Sequence, residues 1–515
     1  MRAIFLLIVY LILAAFLYPL FKYYIDSADT LQYITIAKNY SEGYFPGAIN
    51  SFWSPMISWL LVPFIFMRTE PVFAFKILQI LIGLFTLRLI FYHIEQTHSE
   101  KFIKTILGAA SVLLVLSFAF LFSTPDLLLL TLYLWFVKLL KNRRSPLLIG
   151  ICGAAMYYTK GFGFAFFTVA FTAVYAYKFF TKEIGKKELA STLLKGYGIF
   201  LLLCAPWIYA ISKSEHTFTI SSAGSNALNI INPAINPDPF DDIHYPFEKG
   251  ILYEPPPHAV SAWLYQHRLI ETGWSPFASS QDFNHYLKMI WRNVLSVRSY
   301  HFGIDAGTVL VLVLILLLAS RKAGLKNLLR ENAFLLIACL ICTLLYVLLM
   351  TIHRYLWIND IAIIILFSSA VQKLFEWKRW MGFTALTIFI FLVIYPSLKS
   401  IEESAGDGSE IYYDCKGLKD YNHITGKVIS LIDNFPDRNH RLSNLVCYYT
   451  GTYYYGMAGE HNLPEIEKEK IDYVLDWRHT RDNWLEKNNM VGEVISFSGG
   501  YLTVYKLRHL PPRRD

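Results

Sequence analysis

A chain of 515 residues that is 55% hydrophobic and only 17% charged is too apolar for a soluble protein, in which about a quarter of residues carry charge. Its formal net charge of +8 would suit a nucleic-acid binder. The basic residues, however, are grouped in short loops between apolar runs, so the excess reflects membrane topology and no nucleic-acid partner is expected.

The first run, Ala3–Phe21, is longer than a signal-peptide core and has no small-x-small site before Tyr18-Pro19, so it reads as a retained span. Residues 22–70 then form an outer segment. Within it, Asp29-Thr30-Leu31-Gln32 fits a capping box with Asp29 as N-cap, and Asp26 reads as a solvated loop residue. Trp53–Met67 is apolar but short and holds two prolines. If it spanned, the basic cluster Lys141-Asn142-Arg143-Arg144 would fall on the side opposite the N-terminus, so it is expected to lie along the surface. Val72–Tyr92, Phe102–Phe122 and Leu127–Leu140 are the next spans, and Asp126 in "STPD" opens the third of these. As one helix, Leu147–Phe180 would be about 50 Å long against a hydrocarbon core of about 30 Å. It must therefore turn, and Thr159-Lys160-Gly161 is where it can.

Leu193–Ile211 leads into a long outer loop, 212–305, where Asp241, Asp242 and His244 stand in a proline-rich stretch. A solvated acidic turn is the simpler reading of these three, a cation site the other. Thr308–Ser320, Ala333–Met350, Leu356–Val371 and Trp380–Tyr395 complete about 11 spans, with His353-Arg354 in an outer turn. This places the N-terminus in the cytoplasm and the tail outside. The tail, 397–515, is polar and predicts a small α/β domain: "GLKDYNHITGKVISLIDNF" is helix-like, and "NLVCYYTG", "IDYVLDW", "GEVISFS" and "YLTVYKL" are strand-like. Cys415 and Cys447 lie in it and can pair if the tail is oxidised. The fold class is thus mainly α: a helical membrane module over 1–396 and an extramembrane α/β domain after it.

Four ionisable side chains fall on the same, outer face: Asp29, Asp126, Lys160 and Arg354, the last beside His353. An ionisable group inside a membrane helix costs at least about 2.5 kcal/mol, so each needs a reason. Two carboxylates beside two permanent cations suit a phosphate-bearing lipid and an acid–base reaction next to it. A lipid transporter or flippase is the alternative. It predicts ionisable groups at mid-membrane and helices broken at matching places in two halves, whereas the polar groups here share one face.

These residues resemble the GT-C class of integral-membrane glycosyltransferases, especially the aminoarabinose transferases of lipid A and the protein O-mannosyltransferases. The family's acidic first outer loop is matched by "DTLQYITIA" through Asp29, Tyr33 and Ala37, its "TPD" by Thr124-Pro125-Asp126, its "LTKG" by Tyr158-Thr159-Lys160-Gly161, and its "RY" by Arg354-Tyr355. The acid usual after the first Asp is Thr30 here, which points to metal-independent catalysis with no cofactor. The resemblance implies a polyprenyl-phosphate-linked sugar donor, with a glycan, lipid or protein hydroxyl as acceptor. In it Asp29 is the general base, Asp126 a second catalytic carboxylate, and Lys160, Arg354 and His353 the donor-phosphate contacts. Tyr33, Trp53, Asp241 and His244 are the expected substrate contacts, and a bacterial inner membrane is the expected location.

Overall fold

A computed structural model describes residues 2–241, 243, 245, 250–269, 273–299, 329–432, 436–477, 484–496 and 502–508. Asp242, His244 and the expected span Thr308–Ser320 lie outside them.

Seven helices among the described residues are long and apolar enough to cross a membrane: Ala3–Phe21, Pro71–Glu95, Lys101–Leu121, Phe162–Phe180, Lys186–Ser214, His353–Trp377 and one beginning at Arg379. The chain is an integral membrane protein. Three shorter apolar helices pack among these, Asp126–Lys141, Pro146–Thr159 and Ala333–Val347. At 1.5 Å per residue they are about 21 to 24 Å long, short of a full crossing. Each stops early at the same end of the bundle. Asp126 opens the first, Lys160 closes the second, and the third ends at Leu348.

Met56–Phe66 has 11 residues, about 16 Å, and does not span. The expected reversal falls at Lys160-Gly161, between Pro146–Thr159 and Phe162–Phe180. The turn is tight enough that a Cβ on Gly163 would collide with the Met156 carbonyl, so only glycine lets the two limbs approach.

The outer loop carries Ala223–Ile230, a single 3₁₀ turn at Ala262–Tyr265, and a 20-residue amphipathic helix, Ser280–Ser299, that was not foreseen. That helix docks on the end of Ala333–Val347: Tyr286 donates to the Leu348 carbonyl at 2.8 Å and Asn293 to that of Val347 at 3.0 Å.

In the tail, the last membrane helix continues to Ser404 before Asp407–Asp420 begins. Five strands follow, β1 (Lys427–Leu431), β2 (Tyr453–Ala458), β3 (Tyr473–Asp476), β4 (Val491–Ser496) and β5 (Thr503–Leu507), in the order β2-β1-β3-β5-β4. The first three are parallel and β5 is antiparallel to both its neighbours. Two sequence expectations are corrected here. "KVISL", read as part of a helix, is the central parallel strand β1, whose residues are buried in a hydrophobic run. "NLVCYYT", read as a strand, belongs to the helix Pro436–Thr450. Its Leu442, Val446 and Cys447 share one helical face against Cys415 and Leu418, so packing overrides β-propensity. Cys415 and Cys447 are buried there as free thiols.

The outer loop runs along the edge strand β2. Tyr253 N–H donates to the Tyr455 carbonyl and Tyr454 N–H to that of Val260, both at 2.8 Å. Covering that edge ties the loop to the tail domain and sets the 3₁₀ turn over the membrane bundle.

Candidate active site

The site begins with the turn before Asp126. Three side chains from two other segments hold its carbonyls: Lys76 Nζ donates to Phe120 O at 2.6 Å, Thr30 Oγ1 to Ser123 O at 2.8 Å and Gln79 Nε2 to Thr124 O at 2.6 Å. Thr30, standing where the family pattern has an acid, is thus a tether between the Asp29 helix and this turn. The Ser123 N–H donates to Asp26 Oδ1 at 2.8 Å. A buried turn with its backbone satisfied in this way has little freedom, and Asp126 inherits its position.

Asp29 is the first residue of the helix Asp29–Ser41, not its cap. Ala28 is the N-cap residue, and the Asp29 N–H donates to Ser27 Oγ at 3.2 Å. The capping-box expectation is therefore corrected, and the carboxylate is available for other contacts. Arg354 Nη2 donates to Asp29 Oδ2 at 2.9 Å, and the Trp263 indole N–H donates to Oδ1 at 3.3 Å.

Arg354 gathers the cluster. Its Nε lies 3.2 Å from Asp126 Oδ2 and its Nη1 lies 3.6 Å from Asp26 Oδ2. Asp126 also takes Lys160 Nζ on Oδ1 at 2.7 Å and the Thr124 hydroxyl on Oδ2 at 2.8 Å. The Lys160 ammonium sits over the Tyr355 ring, 3.5 Å from its centroid, which favours a cation where water is scarce. Asp126 is 3% exposed and fully engaged, whereas Asp29 is 19% exposed. Of the two carboxylates, only Asp29 keeps an open side. Asp26 is a member of the cluster too, contrary to its reading as a solvated residue. Burial raises its carboxyl above the usual range, while Arg354 and the Ser123 N–H pull it back down.

These residues line one cavity of about 1060 Å³. Lys160, Tyr346 and Tyr355 cluster in its lining, Phe162 stacks on Tyr346, and Leu345, Leu348 and Leu349 add apolar wall. Trp263, His440 and Arg441 line it as well. Tyr33 and Trp53 also line the cavity, their rings in edge contact at 5.1 Å. Trp53 Nε1 and Asn50 Nδ2 both donate to the Leu264 carbonyl, at 3.1 and 2.8 Å, and so hold the 3₁₀ turn that presents Trp263.

Two expected contacts are not among the cavity's lining residues. The His353 ring lies 3.8 Å from Asp360 and 6.4 Å, centroid to centroid, from Phe122. Successive residues of a 3₁₀ turn point about 120° apart, so His353 and Arg354 diverge although adjacent. Asp241 is exposed on the loop, and His244 lies outside the described residues.

Sequence reasoning missed Asp26, Trp263, Arg438, His440 and Arg441. Arg441 Nη1 reaches the Asp26 carbonyl at 3.4 Å, and the His440 ring lies 5.3 Å from Trp263. Burial pushes the His440 imidazole down to about 3, so it packs there as a neutral ring.

No protein-family model matches the chain, and no curated protein sequence is detectably similar to it. Solved structures are similar in fold. ArnT from Cupriavidus metallidurans, bound to undecaprenyl phosphate, has a TM-score of 0.56 at 10% identity, over 97% of this chain and 97% of that one. The archaeal oligosaccharyltransferase AglB from Archaeoglobus fulgidus, in complex with an inhibitory peptide and a dolichol-phosphate, has a TM-score of 0.53 at 12% identity, over 98% of this chain and 75% of that one. The apo form of the Archaeoglobus fulgidus oligosaccharyltransferase gives 0.53 at 11% identity, over 92% and 69%. At such identities the likeness is one of fold alone.

Proposed function

We propose that the chain is a membrane glycosyltransferase that moves a sugar from a polyprenyl-phosphate donor to an acceptor hydroxyl. The observation that carries this reading is the convergence of Asp29, Asp126, Lys160 and Arg354, from four distant segments, on one cavity with an apolar wall at the end of a helical bundle. Similar folds bind undecaprenyl phosphate and dolichol-phosphate, which supports a lipid-phosphate donor here.

The donor's lipid lies along Phe162, Leu345 and Leu348, with its phosphate against Lys160. That ammonium has three N–H donors and gives one to Asp126, so two remain for phosphate oxygens. Arg354, with five donors, contributes from the other side. The acceptor enters beneath the tail domain and Asp29 takes the proton from its hydroxyl. The oxygen bonds to the anomeric carbon as the carbon–phosphate oxygen bond breaks, and the lipid phosphate leaves against Lys160. This single displacement inverts the anomeric centre. A general base of this kind contributes about 10²- to 10⁴-fold, or about 3 to 5 kcal/mol. Asp126 positions Lys160 and Arg354. In our reading the reaction needs no metal, because the Arg354 guanidinium fills the space between the three carboxylates where a cation would otherwise be shared. The acceptor side faces out of a bacterial inner membrane, with the N-terminus in the cytoplasm.

The test is purified protein in lipid nanodiscs, supplied with labelled polyprenyl-phosphate sugars and membrane extract. Transfer with inversion, unaffected by chelator, is expected. Movement of the intact labelled lipid across the bilayer without consumption of the donor would replace this reading with a transporter.

A further inference from the structure

A second cavity, about 350 Å³, lies at the opposite, basic end of the bundle, where four helix ends meet. Lys141, Arg143, Lys178 and Arg330 line it, against two carboxylates, Glu183 and Glu331. None of these four cations makes an ion pair with a carboxylate among the described residues.

Lys178 is the informative one. It is only 6% exposed, on the helix Phe162–Phe180, and its ammonium has no hydrogen bond or ion pair among the described residues. Aromatic rings are its neighbours, with Tyr175 at 4.7 Å and Phe334 at 4.8 Å from Nζ. A buried cation needs counter-charge, and ring faces offset only a part of its lost hydration. Glu183 and Glu188 act on Lys178 without pairing to it, and the four cations of the lining still outnumber its two carboxylates. Arg143 and Arg330 face the same space from exposed positions. Two exposed apolar side chains stand next to its lining residues in the chain, Phe180 at 79% and Leu329 at 45%.

We infer that this cavity is a binding site for the phosphate head group of an anionic membrane phospholipid, with Lys178 beneath the phosphate and Arg143 and Arg330 at its rim. Basic pockets between membrane helices take such head groups because the phosphate supplies the charge that the protein leaves unmatched. The two helices that meet here through Lys178 and Phe334 also meet at their other ends, where Phe162 and Tyr346 stack at 3.7 Å beside Lys160. A lipid held at Lys178 therefore ties the base of the helix pair that walls the upper cavity.

The experiment uses the full chain reconstituted in nanodiscs of mixed phosphatidylglycerol and phosphatidylcholine, then released into mild detergent for native mass spectrometry. Wild type is expected to retain one phosphatidylglycerol and no phosphatidylcholine. Retention should fall by about tenfold or more in Lys178→Gln and in the double variant Arg143→Gln/Arg330→Gln. The latter changes only exposed side chains, so its folding is preserved. Lys186→Gln/Lys187→Gln, which removes the same charge from exposed positions outside the cavity, should retain the lipid. Equal loss in that control would overturn the site in favour of diffuse surface attraction. Displacement of the lipid by excess inorganic phosphate would overturn the lipid assignment in favour of a free phosphate.

Discussion

Replacing Trp263 by Phe isolates a contact by which the outer loop acts on Asp29. The substitution removes the indole N–H that lies 3.3 Å from Asp29 Oδ1 and keeps an aromatic ring beside His440. Asn50 and Trp53 still hold the Leu264 carbonyl, so the 3₁₀ turn stays in place. A hydrogen bond to a charged acceptor contributes about 1.5 to 3 kcal/mol net, and at this length the lower end applies. A loss of about 1.5 kcal/mol corresponds to about tenfold in rate. Because the bond orients the base and does not touch the phosphate, the loss should appear in single-turnover transfer while donor affinity and thermal stability stay at wild-type values. An unchanged transfer rate, or a weakening of donor binding that accounts for the whole effect, would refute the orienting role.

Lys160→Gln should weaken donor binding by about 10- to 100-fold, measured by retention of undecaprenyl phosphate, since one charge-assisted contact to phosphate is lost. Gly163→Ala should lower thermal stability by about 1 to 3 kcal/mol, because the new methyl meets backbone at Met156 and cannot be relieved by a side-chain shift. Glu215 gives a pH prediction for the outer loop. Burial raises its carboxyl, but hydrogen bonds from His267 and Ser51 and the nearby Arg268 outweigh this and hold it at about 2, below its ordinary 4.5. A depressed carboxyl stabilises the folded state above its unfolded value and loses that contribution as pH falls through its folded one. The Ser51–Glu215–His267 contact should therefore be intact above pH 4.5 and open between 4.5 and about 2, seen as faster hydrogen exchange at 262–268.

Asp126, Lys160 and Arg354 were legible because ionisable residues stand out against apolar runs; helix length required a turn within 147–180, and the polar and glycine residues at Thr159-Lys160-Gly161 placed it. What escaped the sequence depends on distant contacts. Asp26 reads as a loop residue until Ser123 and Arg354 enclose it, nearly 100 and more than 300 residues away. Trp263 sits in a loop too rich in proline to predict, and its place is set by Asn50, Trp53 and the edge of β2. His353 is adjacent to Arg354 in sequence, but the 3₁₀ turn sends the two side chains in different directions. In the tail, the aromatic and β-branched residues around Cys447 suggested a strand, whereas their helical face fits the groove offered by Asp407–Asp420.

The most direct test of the account compares Asp29→Asn with wild type in transfer from labelled polyprenyl-phosphate sugar, with donor binding followed in the same nanodiscs. Asparagine keeps the shape and one acceptor oxygen, which can take Arg354 or Trp263 but not both, and it takes no proton. Transfer slowed by at least about 100-fold with donor binding retained is the predicted result. Transfer at the wild-type rate would remove Asp29 as the base, and the proposed mechanism with it.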